Sequence, residues 1–262
     1  MPERAAAYGF VGTGAITRAM VEGLSAAEPA PAIVVSPRGA EVSAELAARF
    51  ANVRVAADNQ AVVDDAALVV LATRPGDLRT VLTDLRFGAD QVVVSVVAGV
   101  PVAELRTAVA PATEVARTIP LPSVAVRQGL VPVFPPQPAA LAMFRELGDV
   151  VALDDETAFD SFSAASAFAA TQLDLLATVE GWLVGRGVPA PDASAYVREL
   201  IRGLSDALGE EPDRELALLA GDHATPGGLN QQVREHVRGE GVHQIVLTAL
   251  DDVARRIASP RA

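Results

Sequence analysis

The 262-residue chain has no cysteine, which removes disulfides, thiolate nucleophiles, zinc–thiolate sites and cysteine-held iron–sulfur clusters, and leaves redox compartment unmarked. Lysine is absent as well, so every side-chain cation that stays charged at neutral pH is arginine. Schiff-base chemistry, a P-loop lysine and a lysine acid or base are thereby excluded. Positive charge is in deficit: 21 basic against 33 acidic residues give a net charge of −12. That balance repels phosphate backbones and anionic lipid, so neither nucleic acid nor a membrane surface is an expected partner. Apolar runs such as 66–72 and 92–102 fall short of the about 20 residues that a bilayer span requires. The opening Met1-Pro2-Glu3-Arg4 lacks a basic region followed by a cleavable apolar one, and the expected location is the cytoplasm.

What is present is an apolar chain, 50% hydrophobic, of a length that fits one or two domains. From Tyr8 to about Leu153, short apolar runs at 8–11, 32–35, 53–55, 68–71, 92–96 and 114–116 alternate with helical stretches. Such alternation predicts an α/β fold with a parallel, Rossmann-like sheet covered by helices on both faces. Two more strands are expected near 129–134 and 150–153, with a helix over 139–147 between them. After Asp154-Asp155-Glu156 the strand-like runs stop and Ala/Leu/Ser-rich helical spacing takes over, which predicts a dinucleotide-binding domain over 1–153 and an all-helical domain over 154–262. Helices are expected over 156–185, 191–209, 213–220, 228–236 and 242–257. The first of them carries Ser161, Ser163, Ala164, Ala165, Ser166, Ala167, Ala169 and Ala170, small on nearly every face, so it should allow close helix approach in a homodimer or higher homo-oligomer built on the C-terminal helices.

Chemistry is concentrated in a few short segments. Gly9-Phe10-Val11-Gly12-Thr13-Gly14-Ala15-Ile16-Thr17 places a Gly-x-Gly turn between the first strand and a helix, where backbone N–H groups can meet a pyrophosphate. The second strand ends in Ser36-Pro37-Arg38 with no acid to hold a ribose 2′-hydroxyl. A hydroxyl followed by arginine suits a 2′-phosphate, and NADP(H) is the expected cofactor. In the second half, Thr225-Pro226-Gly227-Gly228-Leu229-Asn230 leads into an apolar helix, offering backbone N–H groups to a carboxylate, with the Thr225 hydroxyl and the Asn230 amide beside them.

In this order the segments resemble those of the pyrroline-5-carboxylate reductase family, along nearly the whole chain. The resemblance rests on the Gly9–Gly14 turn, on Ser36-Pro37-Arg38, and on Asp58-Asn59 in the place of an Asn near the adenosine. It also rests on Ala72-Thr73-Arg74-Pro75 at a Lys-Pro step, on Ser95-Val96-Val97-Ala98-Gly99, and above all on the Thr225–Asn230 segment. It implies an NADPH-dependent reductase of a cyclic imine, 1-pyrroline-5-carboxylate or a close analogue. It assigns cofactor binding to Gly12, Thr13, Gly14, Ala15, Ile16, Ser36, Arg38, Asn59, Ala72, Thr73, Arg74, Pro75, Ala98 and Gly99. Substrate binding falls to Thr225, Gly227, Gly228 and Asn230, with Thr225 and Asn230 as catalytic residues and, in the family, partly across a dimer interface. No metal is implied.

The departures from the family pattern lie on the substrate side. Arg117-Thr118-Ile119-Pro120-Leu121 is similar to the family's Arg-x-Met-Pro-Asn loop, with Leu121 for the Asn. The stretch 163–170 lacks the family's glycines, proline and tyrosine, and Asn230 stands where Thr is common. Three rival readings follow: an NADP-binding protein without turnover, a reductase of a carboxylate-free imine, and a β-hydroxyacid dehydrogenase, the last needing a lysine this chain lacks. His236 and His243 have no metal-ligand spacing. His223 reads as a surface residue of the loop, Asp174 as a solvent-facing one, and Trp182 and Tyr196 as core or interface aromatics.

Overall fold

The computed structural model describes residues 7–259, and these divide into two compact units, one of residues 7–163 with 256–259, the other of residues 164–255.

The first unit is an eight-stranded sheet formed by β1 (Ala7–Val11), β2 (Ala32–Val35), β3 (Val53–Val55), β4 (Leu68–Leu71), β5 (Val92–Ser95), β6 (Glu114–Thr118), β7 (Leu130–Phe134) and β8 (Asp149–Ala152). Its order is β3-β2-β1-β4-β5-β6-β7-β8. Neighbours pair in parallel from β3 through to β6, in registers such as Gly9↔Val69 and Val69↔Val93. The all-parallel expectation fails at one joint, because β7 runs antiparallel to β6. A short connection, made mainly of a 3-10 turn at Pro122–Val126, reverses the chain there in place of a crossover helix. β8 is then parallel to β7, with α6 (Pro138–Arg145) as their crossover.

Runs without polar interruption become strands buried on both faces, and all four residues of β4 are buried. One face carries Val11, Val69, Val93 and Val115 under α3 (Asn59–Asp65), α4 (Leu78–Thr83) and α5 (Val102–Ala108). The other carries Phe10, Val70, Val94 and Ala116 under α1 (Ala15–Ser25), α2 (Ala40–Arg49) and α6. Side-chain caps start several helices: Asp58 accepts from Ala61 N–H at 2.8 Å, and Gln137 from Ala140 N–H at 2.7 Å.

Helix α7 (Glu156–Ser166) opens on Asp155, which accepts from the N–H of Thr157 at 3.0 Å. The single helix expected over 156–185 is two, since Ala167 N–H bonds to the Ala164 carbonyl in a tight turn before α8 (Phe168–Gly185). The second unit continues with α9 (Ala190–Glu210), α10 (Leu216–Asp222), α11 (Leu229–Gly239) and the greater part of α12 (Val242–Ala258). Helix α8 has no buried residue. By length and composition alone, the helical stretch Glu156–Gly185 is long and apolar enough to cross a membrane. Its own acids, Asp174 and Glu180 in α8 and Glu156 and Asp160 in α7, argue against that reading.

Candidate active site

Strand β1 ends at Val11 and α1 begins at Ala15, so Gly12-Thr13-Gly14 turns where the strand order reverses around β1, the crevice in which doubly wound sheets bind ligands. Gly12 has φ +102, and a Cβ there would lie 2.6 Å from the Ala72 carbonyl oxygen, so the turn presses on the backbone after β4. Gly39, a position the motif reading passed over, has φ +90, and its Cβ would lie 2.3 Å from the Thr13 carbonyl oxygen.

Ser36 is fully buried beneath this turn. Its hydroxyl accepts from the Gly12 N–H at 3.0 Å, while the Thr13 hydroxyl donates to the Ser36 carbonyl at 2.9 Å and lies 3.2 Å from its hydroxyl. Two expectations change accordingly. The Ser36 side chain fixes the turn instead of facing a 2′-phosphate, and the Gly12 N–H is already satisfied. Thr17, in the third motif position, donates its hydroxyl to the Gly12 carbonyl at 2.7 Å.

In front of the turn lies a cleft of about 370 Å³ lined by Gly12, Thr13, Gly14, Arg38, Gly39, Ala72, Thr73, Arg74 and Asp77. Gly14 caps α1 without a side chain, and a Cβ there would meet nothing within 4 Å. The first-turn N–H groups of Ala15, Ile16 and Thr17 have no intrahelical acceptor, and no acid lies in that turn. The Thr73 hydroxyl is buried without a hydrogen-bond partner. Arg38 and Arg74 have no ion-pair partner among the described residues. Arg38 also lines a second cavity of about 380 Å³ with Asp58, Asn59, Gln60, Thr80 and Asp84. Open glycine, free N–H groups, an orphan hydroxyl and two guanidinium groups form a donor set that fits the phosphates of NADP(H), with Arg38 between the pyrophosphate turn and Asn59. Pro75, Ala98 and Gly99 lie outside both linings, on the loops after β4 and β5.

In the second unit, the loop between α10 and α11 is more closed than its sequence implies. Gly227 N–H donates to Gln231 Oε1 at 2.6 Å, Gly228 N–H to the Thr225 carbonyl at 2.8 Å, and Asn230 Nδ2 to the His223 carbonyl at 2.8 Å. The N–H groups expected to be free on the two glycines are therefore engaged. The first-turn N–H groups of Leu229 and Asn230 and the exposed Thr225 hydroxyl remain. His223 is exposed, and its Nδ1 lies 3.0 Å from the Leu219 carbonyl. Trp182 and Tyr196, 59% and 63% exposed, are not core residues. No cluster of metal-ligating side chains occurs among the described residues. Burial, with the charge of Glu146 adding to it, pushes the Tyr8 phenol above its ordinary range, but Tyr8 lies toward the start of β1, away from the turn.

Residues 7–99 match the family model described as NADP oxidoreductase, coenzyme F420-dependent. The chain is 28% identical over 263 residues to the pyrroline-5-carboxylate reductase of Pseudomonas aeruginosa, covering 95% of this chain and 94% of that protein. Its fold matches the crystal structure of 1-pyrroline-5-carboxylate reductase from Streptococcus pyogenes at TM-score 0.82, with 21% identity and coverage of 98% of this chain and 100% of that one. It also matches the Plasmodium falciparum pyrroline carboxylate reductase with NADP bound, at TM-score 0.79, 16% identity and coverage of 96% and 97%.

Proposed function

We propose that this chain, which resembles the pyrroline-5-carboxylate reductases along nearly its whole length, reduces a small cyclic imine bearing a carboxylate, 1-pyrroline-5-carboxylate or a close analogue, at the expense of NADPH. The coarser statement stands without the substrate: the chain is an NAD(P)H-dependent oxidoreductase of the imine-reducing kind. The observation that carries the cofactor is the phosphate-ready cleft at the Gly12–Gly14 turn. When bound there, NADPH supplies the hydride that the imine carbon takes up.

The remaining work belongs to the protein and needs no lysine. Gly12, Thr13 and Gly14 shape the turn, the first-turn N–H groups of α1 hold the pyrophosphate, and Arg38 takes the 2′-phosphate beside Asn59. Gly227 and Gly228 shape the loop on which Thr225 and Asn230 hold the substrate, with Thr225 donating its hydroxyl and the first-turn N–H groups of Leu229 and Asn230 facing the carboxylate. The first unit is the cofactor domain, and the helical unit, which begins at 164 and not at the expected 154, carries the substrate loop and a dimer contact.

Two observations favour a second reading, a carboxylate-free imine. The Gly227, Gly228 and Asn230 donors are engaged inside their own loop, and Leu121, at the end of β6's following loop, is 44% exposed where a polar group would be expected. The test is NADPH oxidation followed with paired cyclic imines that differ only in the carboxylate. Thr225→Val should lower kcat/KM for the acid by a factor corresponding to about 1.5–3 kcal/mol and spare its partner. Preference of the unaltered protein for the carboxylate-free imine would establish the second reading, and tight NADPH binding with no turnover would leave a cofactor-binding protein.

A further inference from the structure

Arg117 is the largest fully buried side chain of the described residues, 2% exposed, near the end of β6. A guanidinium is withdrawn from water only when charged or polar partners replace the solvent. Its Nη1 donates to Glu156 Oε1 at 2.7 Å, its Nη2 lies 3.0 Å from Asp160 Oδ1, and its Cζ lies over the Phe159 ring, 4.5 Å from the centroid. The same Glu156 oxygen accepts from the N–H of Val102, the first residue of α5, at 2.8 Å. Glu156 therefore joins the end of β6 to the start of α5 from its own place in the first turn of α7.

The position of this joint follows from the sheet. Strands β1, β4, β5 and β6 are parallel, so the loops after them leave by one edge. The Gly12 turn and Ala72-Thr73-Arg74 occupy that edge after β1 and β4. Loop 96–101, with Ala98 and Gly99, follows β5 and ends at Val102. Loop 119–121 follows β6 directly from Arg117-Thr118. Arg38 and Asn59 place the adenosine phosphate on the β2 side of β1. A dinucleotide laid across the edge then has its nicotinamide over the loops after β5 and β6, whose flanking residues, Val102 and Arg117, meet on Glu156.

We propose that Arg117 and Glu156 are positioning residues for the nicotinamide half of the cofactor: the pair locks the loops after β5 and β6 in one arrangement and so fixes the ring's place. This rests on the reductase reading above. It predicts a division of labour, with affinity set at the Arg38 side and ring geometry set at the Arg117 side.

The experiment uses NADPH and the full chain, with Glu156→Ala, Glu156→Gln and Arg117→Met. The emission of bound reduced nicotinamide and the NADPH Kd are measured alongside kcat at saturating cofactor and the thermal midpoint. In Glu156→Ala, kcat should fall on the order of 10-fold to 100-fold, and the emission should shift toward that of free NADPH. The NADPH Kd should change by less than about threefold, because the phosphate contacts are untouched. Glu156→Gln keeps an oxygen for Val102 N–H and Arg117, so it should recover most of the emission and of kcat. Arg117→Met should match the alanine variant if it folds, and the Glu156 pair decides the matter if it does not. Unchanged emission and kcat in Glu156→Ala overturn the proposal. So does a parallel loss of thermal midpoint, Kd and kcat that Gln does not rescue, since that is a merely structural role. Should the unaltered protein bind NADPH yet reduce no imine, the reductase reading fails, while the emission comparison still decides where the ring is held.

Discussion

Ser36 and Thr73 separate what a residue's type discloses from what its direction does. The Ser36-Pro37-Arg38 string was legible as a phosphate-binding strand end, but the hydroxyl turns under the glycine turn, and Arg38 alone faces the cavities. Arg38→Ala should therefore weaken NADPH binding by roughly 10-fold or more, the loss of one charge-assisted contact of about 1.5–3 kcal/mol, and leave NADH nearly unaffected. Equal loss for both cofactors in a binding titration would remove Arg38 from the phosphate. Thr73 gives the sharper test, because its buried hydroxyl lacks a partner. Thr73→Val removes an unsatisfied group while keeping shape, so the protein without cofactor should gain about 1–3 kcal/mol in urea unfolding. NADPH binding should weaken by about 0.5–1.5 kcal/mol, the worth of one hydrogen bond. Unchanged or tighter NADPH binding would show that the hydroxyl does not meet the cofactor.

Element identity was read closely, since β-branched runs of period-breaking apolarity and capped helices leave strong local signals. Direction was not, because periodicity is the same for a strand run either way. Only the short turn between β6 and β7, in place of a crossover helix, carries the reversal. The break at Ala167 was equally hidden, as alanine and serine suit a helix on both sides of it. Gln91 also escaped notice. Just before β5 it is fully buried, its amide donating to the Val63 and Ala66 carbonyls at 2.6 and 2.7 Å and accepting from Gly88 N–H at 2.7 Å. It staples the end of α3 to the start of β5, a role that no pattern in one segment can disclose. Gln91→Ala should cost about 1–3 kcal/mol for each backbone group left buried and unpaired, read as a lower urea midpoint. A loss below about 1 kcal/mol would mean that water replaces the amide.

At the scale of the whole chain, the balance of apolar surface in the second unit decides how the protein exists in solution. Leu173, Trp182, Tyr196, Leu216, Leu229, Val233 and Ile245 are each more than half exposed, with Leu229 at 80%. Ala165 in α7 and Ala169 and Ala170 in α8 are exposed as well, and α8 has no buried residue. We expect a second copy of the chain to cover these side chains in a shared core. Covering each Leu or Trp contributes about 1.5–3 kcal/mol, enough in sum to hold two copies together. A bilayer could cover the same face, but Asp174 and Glu180 on α8 would then enter hydrocarbon at about 2.5–3.5 kcal/mol for an aspartate near its centre. Light scattering at micromolar concentration should therefore give at least twice the 27.1 kDa of one chain in buffer without detergent. Leu173→Glu should shift that mass toward a single chain, because it sets a charge among the exposed apolar side chains that a second copy would cover. A bulky residue at Ala169 should act in the same direction through overpacking of about 1–3 kcal/mol. A single-chain mass for the unaltered protein would defeat the assembly, and a requirement for detergent would transfer the apolar face of α8 to lipid.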